Sequence, residues 1–207
     1  MSQLIQLFSF DVVGSAAFKV NQANDNDQPE WLQAFRCFYE EIPLIFTAQI
    51  ANSFFDIPGE FPHVPVWKAI GDELVFIAYP ENLEAVQLLT EAFATAMWQA
   101  NQRFQHDWNL SVHGATWSFE EGHRNIAVRF RELENDTTPV TDLIGPDVDL
   151  GFRLVSHAAA GRILVPLSHQ QRLEGSHLTV DQIGQAHLKG IRLSPYPLLQ
   201  VSLAQEC

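Results

Sequence analysis

The sequence predicts a single α+β domain spanning residues 1–207, with strands and helices in the split βαβ order, strand–helix–strand–strand–helix–strand. Two long stretches at helical spacing, near 30–52 and 81–105, are each followed by a pair of short apolar runs. That pattern implies a sheet with helices on one face. Linkers are short, and 207 residues suffice for one substantial core. The 46% hydrophobic content, with 11% aromatics, puts the chain among globular rather than disordered proteins.

Taken in order, residues 4–11 read as an apolar strand closed by Asp11 and ended by Gly14-Ser15. A polar, acidic loop follows at about 21–30. Pro29-Glu30-Trp31 then opens a helix that carries Leu32, Phe35, Phe38 and Tyr39 on one face. Pro43 is expected to begin, kink or divide it. Residues 64–70 and 74–79 read as two strands joined at Gly71-Asp72, an order unlike the Asp-Gly of a type I′ turn. Leu83, Val86, Leu89, Phe93, Met97 and Phe104 give 81–105 its apolar stripe. Residues 110–119 and 125–131 alternate as strands, 147–160 reads as a helix, and 162–166 and 191–203 supply further strands.

A net charge of −13 disfavours nonspecific binding to nucleic acid or to an anionic membrane. With only 12 Lys and Arg, each cation placed in a motif carries more weight. Cys37 and Cys207 make neither a disulfide framework nor a zinc pattern. No signal peptide and no bilayer-spanning apolar stretch is read, so a reduced, cytoplasmic protein is expected. Internal repeats are not found.

Asp11 and Asp72 stand at the edges of segments read as buried strands, where an unpaired carboxylate is costly. Two such acids meeting at one sheet end can share hard cations, and paired cations are a means of handling triphosphates. Downstream lies Asp142-Leu-Ile-Gly145-Pro146-Asp147-Val148-Asp149-Leu150-Gly151-Phe152-Arg153. On a helix starting near Asp147, Asp149 and Arg153 are four apart on one face, suited either to an ion pair or to setting Arg153 over a phosphate. The remaining polar residues have plainer readings. His113 is taken as structural, and His157 and His169 lack carboxylates at metal-like spacing. Asp147 reads as a helix-start acid and Lys189 as a turn lysine. Glu73 reads as a turn residue pointing away from Asp72. Arg129 and Arg131 alternate with Phe130 on one strand face.

Phe10-Asp11-Val12-Val13-Gly14, Lys68-Ala-Ile-Gly71-Asp72 and Asp142-x-x-Gly145-x-x-Val148-Asp149-x-x-x-Arg153 together resemble the class III nucleotidyl cyclases, the adenylate and guanylate cyclase superfamily. Gly161-Arg-Ile-Leu-Val165 and Leu188-Lys189-Gly190 resemble that fold's closing strands. The resemblance implies a ferredoxin-like split βαβ sandwich and a homodimer whose sites are shared between protomers. It implies Asp11, Asp72 and the backbone carbonyl of Val12 as ligands for two divalent metal ions, Mn²⁺ or Mg²⁺. It further implies Arg153 as the transition-state arginine and Lys68 with Asp142 as the base-reading pair. Asp149 stands where the family has an asparagine that orients the ribose, so a donor amide is lost and a charge is gained.

Donor and acceptor logic leaves adenine, cytosine and uracil open for Lys68 and Asp142. Trp67-Lys-Ala-Ile-Gly-Asp-Glu and Gly-Pro-Asp-Val-Asp-Leu-Gly-Phe-Arg resemble the pyrimidine cyclases of Pycsar antiphage systems. That resemblance implies conversion of UTP or CTP into a cyclic nucleotide read by a downstream effector in antiviral defence. Trp67 and Phe152 are either ordinary core residues or the walls that shrink the pocket to a single ring. An adenylate cyclase, and an inactive nucleotide-binding domain of the same fold, are the alternatives.

Overall fold

Val, Ile, Leu and Phe dominate β1 (Leu4–Val13), and seven of its ten residues are buried, which makes it a central strand. The computed structural model describes residues 3–21, 29–59, 61–129 and 141–203. A short helix, α1 (Ser15–Asn21), follows Gly14, and α2 (Glu30–Ser53) begins immediately after Pro29. Pro43 lies inside α2 and neither begins nor divides it. β2 (Val66–Ile70) and β3 (Glu73–Ala78) form a hairpin closed by Gly71-Asp72. Gly71 takes φ 66° and Asp72 does not go positive, the sign pattern of a type II′ turn with glycine first. The Gly-Asp order therefore fits the hairpin.

α3 (Leu83–Trp108) is capped by Asn82, whose side chain accepts from the Ala85 N–H at 2.9 Å, and is stopped by left-handed Asn109. Of its predicted stripe only Leu83 is exposed, at 47%. β4 (Ser111–Glu120) returns beside β1. β5 (Ile126–Arg129) and β6 (Thr141–Ile144) pair with each other in a separate two-stranded sheet. α4 (Pro146–Val155) is five residues shorter at its C-terminal end than the sequence suggests. β7 (Ile163–Val165), α5 (Leu167–Gln170), β8 (Leu178–Ala186) and β9 (Tyr196–Leu203) complete the chain. The main sheet runs β2-β3-β1-β4-β7-β9-β8, antiparallel except for β4 against β7. The polar loop near 21–30 falls largely outside the described residues, as do Phe130 and Arg131.

Alternation along the central strands sends side chains to two cores. Phe8, Phe10, Val12, Leu74 and Phe76 pack under α2 and α3, where Phe10 and Phe93 meet edge to face at 4.8 Å. Ile5, Leu7, Val75, Ile77 and Trp117 face the other way and are covered by Val148, Leu154 and Val155 of α4. The expectation of helices on a single face therefore holds for α2 and α3 but not for α4. An amphipathic α4 has to bury its stripe, and the second face of the sheet is the apolar surface it meets. A buried polar chain crosses the first side: Gln6 donates to Thr90 at 3.0 Å, Thr90 lies 3.1 Å from His169, and His169 lies 2.8 Å from Ser118. Among the described residues no helix is long and apolar enough to cross a membrane.

Candidate active site

Asp11 lies near the C-terminal end of β1, opposite Glu73 of β3 on one side and His113 of β4 on the other. One residue on, the Val12 N–H donates to the Asp72 carbonyl at 3.3 Å, so the two candidate metal acids occupy neighbouring positions at one end of the sheet. Tyr39 of α2 donates its hydroxyl to the Gly71 carbonyl, which ties that helix to the turn carrying Asp72. Burial raises the Tyr39 phenol above its ordinary range, and the charge of Asp72 adds to the rise.

His113 is anchored on both nitrogens. Nδ1 lies 2.6 Å from the Ala158 carbonyl, just beyond α4, and Nε2 lies 3.1 Å from Asp11 Oδ2. Burial alone lowers its pKa, but the bonds to Asp11 and Ala158 and the charges of Asp11 and Glu73 raise it further, for a net rise. Glu73 accepts from the Ser9 hydroxyl at 2.6 Å. Burial pushes its carboxyl upward, the Ser9 bond draws it back in part, and Asp11 and Asp72 add to the upward push. As a cross-strand partner of Asp11, Glu73 shares its face. The expectation that it points away is thereby corrected: Asp72 sits in the turn, so strand alternation cannot be counted from it.

Lys68 of β2 and Asp142 of β6, 74 residues apart, form an ion pair with both side chains about three-quarters buried. Asp142 Oδ1 also accepts from the Leu143 N–H at 2.7 Å. On α4, Asp149 is exposed in the first turn and Arg153 is half-buried in the last. Among the described residues the two form no ion pair, and Arg153 Nε is buried with no acceptor. A Cβ built on Gly190 would lie 3.9 Å from Arg153 Nη2, which puts the guanidinium beside the turn containing Lys189. Asp147 is taken up at the start of α4, accepting from Asn125 Nδ2 at 2.7 Å and from Arg124 Nη2 at 3.1 Å.

No family model and no curated protein matches this chain. Solved structures do. The adenylyl cyclase CyaB from P. aeruginosa superimposes with a TM-score of 0.65 at 16% identity, over 98% of this chain and 95% of that one. The guanylate cyclase domain of RhGC from Catenaria anguillulae, solved with GTP, gives 0.63 at 16% over 98% and 97%. The fold is that of a nucleotidyl cyclase catalytic domain. The dimeric guanylyl cyclase domain of RhoGC from Blastocladiella emersonii shares it, with a TM-score of 0.61 at 14% identity over 97% and 96%.

Within this cyclase fold, one sheet end gathers Asp11, Val12 and Asp72, a second locus pairs Lys68 with Asp142, and α4 carries Asp149 and Arg153. Sequence reasoning overlooked Glu73, His113 and Tyr39 as neighbours of the acids. The signal for the first two lay in cross-strand register, which a single sequence does not display. Phe152 packs edge to face on Trp117, with centroids 5.3 Å apart, so it belongs to the core. Trp67 alone of the two aromatics lies against the Lys68–Asp142 pair.

Proposed function

We propose that this chain is a class III pyrimidine nucleotide cyclase that converts UTP, or else CTP, into the 3′,5′-cyclic monophosphate and pyrophosphate. The observation that carries the reading is Arg153, whose buried Nε has no acceptor among the described residues of a cyclase fold. A buried guanidinium nitrogen needs a partner, and a phosphate supplies one.

Asp11, Asp72 and the Val12 carbonyl form an all-oxygen donor set that fits hard divalent cations, Mn²⁺ or Mg²⁺. Among the described residues no group of three or more His, Cys, Asp or Glu is gathered for a metal, so triphosphate oxygens and water would supply the remaining ligands. When bound, such ions lower the pKa of the ribose 3′-hydroxyl and polarise the α-phosphate. The chain's own groups do the rest. Lys68 donates to the base edge and Asp142 accepts from it. Asp149, free of Arg153, accepts from a ribose hydroxyl, the role open to a carboxylate where an amide is absent. Arg153 offsets the charge that builds on the α-phosphate as the 3′-oxygen attacks in line and pyrophosphate leaves.

The acids would serve one site and Lys68, Asp142, Asp149 and Arg153 the other, so a homodimer completes two equivalent sites. The resemblance of residues 67–73 and 145–153 to Pycsar cyclases supports a pyrimidine substrate and an antiphage second messenger acting on a downstream effector. A second reading, adenylate cyclase, is favoured by the Lys68–Asp142 pair, which also suits adenine. Incubation with each of the four nucleoside triphosphates and Mn²⁺, with products identified by mass, tests both. Cyclic UMP or cyclic CMP is expected, and cyclic AMP as the main product would support the second reading. Thermal stabilisation by nucleotide without pyrophosphate release would overturn catalysis and leave a binding domain.

A further inference from the structure

The hairpin of β2 and β3 contains an irregularity at the base-reading lysine. Val66 pairs with Phe76 and Lys68 with Val75, so two steps along β2 match one along β3. Trp67 is the extra residue of a β-bulge. Phe76 belongs to the core under α2 and α3, whereas Val75 belongs to the core under α4. In an uninterrupted strand Lys68 would share the face of Val66, on the α2/α3 side. The bulge turns it to the α4 side, where Asp142 and the Leu143 side chain lie.

The bulged residue then touches both members of the pair it permits. The Trp67 indole N–H donates to the carbonyl of Thr141, the residue before Asp142, at 3.2 Å. Its ring lies 4.2 Å from Lys68 Nζ, within cation–π range. One side chain therefore fastens β6 to β2 and holds the ammonium over its own ring.

We propose that Trp67 is the positioning residue of the base-reading pair, and that selection among nucleoside triphosphate bases depends on it. This rests on the assignment of Lys68 and Asp142 to base reading. A lysine held by both an aromatic face and a carboxylate has little freedom to follow a base of different shape. Released, it accommodates several bases with similar ease.

The test measures kcat and KM for UTP, CTP and ATP on the full chain and on Trp67→Leu, Trp67→Phe and Lys68→Ala. Trp67→Leu loses the ring and the indole donor. It is expected to reduce the kcat/KM ratio of the preferred over the next-best nucleotide about tenfold, with the loss carried by KM. Trp67→Phe keeps a ring but no donor and is expected to fall between Leu and wild type. Should Trp67→Leu fail to fold in a thermal melt, Trp67→Phe decides alone. The proposal is overturned if both Trp67 variants slow all three nucleotides by one common factor while Lys68→Ala erases selectivity. Selectivity unchanged in Lys68→Ala would remove the base-reading assignment itself, and the proposal with it.

Discussion

Replacing Gly151 with alanine tests whether the seating of α4 on β4 is what places Arg153. A Cβ at position 151 would stand 2.0 Å from Cε2 and 2.1 Å from Cδ2 of Trp117. Ordinary contact begins near 3.4 Å, so α4 and β4 must separate by about 1.4 Å. The indole has no room to retreat, because Trp117 is 1% exposed and abuts Phe152. Overpacking of this kind costs about 1–3 kcal/mol, which for a chain of this size lowers the melting temperature by roughly 2–12 °C. Arg153 lies two residues along the same helix and moves with it. A displacement of about 1 Å at a phosphate-binding group lowers turnover about a hundredfold. The assay pairs a thermal melt with pyrophosphate release at saturating preferred nucleotide and Mn²⁺. A melt lowered as expected with turnover intact would refute the link between α4 seating and Arg153. An unaltered melt would refute the packing argument at its root.

Asp11→Ala or Asp72→Ala is expected to leave a cooperative melt and to reduce pyrophosphate release below about 1% of wild type, as chelation of divalent ions should also do. Substantial turnover in either variant contradicts the metal assignment. An Asp72 variant and an Arg153 variant, each inactive, are expected to regain activity when co-assembled. Verified heterodimers that stay silent would rule out shared sites. Burial, aided by the nearby Arg172 charge, lowers the His169 pKa from 6.5 to about 3. The unfolded chain therefore takes up a proton that the folded chain refuses. The stability this leaves intact above pH 6.5 is lost as pH falls toward 3, at up to about 1.4 kcal/mol per unit. Urea midpoints followed across that window in wild type and His169→Asn measure it, and equal slopes would contradict it.

What a single sequence disclosed follows from what its patterns encode. The stripe of α3 from Val86 to Phe104 announced itself because a buried helix face must repeat at 3.6 residues. β8 escaped notice because it is an edge strand with Asp181, Gln182 and Gln185 among few apolar residues, so no run marks it. β6 is four residues long and, among the described residues, pairs only with β5, too brief for an alternation to emerge. At the candidate site, residue types and spacing pointed to Asp11, Asp72 and Arg153, and the resemblance to class III cyclases pointed to Lys68 and Asp142. The absence of an Asp149–Arg153 ion pair, the placement of Glu73 beside Asp11, and the clasp of His113 between Asp11 and Ala158 required cross-strand geometry. The face of Lys68 was illegible for the same reason, since one unpaired residue reverses it.

The ion pair of Lys68 and Asp142 joins an edge strand of the main sheet to a separate two-stranded ribbon. Neither half is meaningful when transplanted by itself. On the proposed base-reading role, a chimera that borrows residues 66–70 from a relative of other base preference would set a foreign residue against the resident Asp142. Exchanging 66–70 together with 141–144 moves the whole clamp, so a change of cyclic product through the proposed base-reading pair calls for these two segments as one cassette.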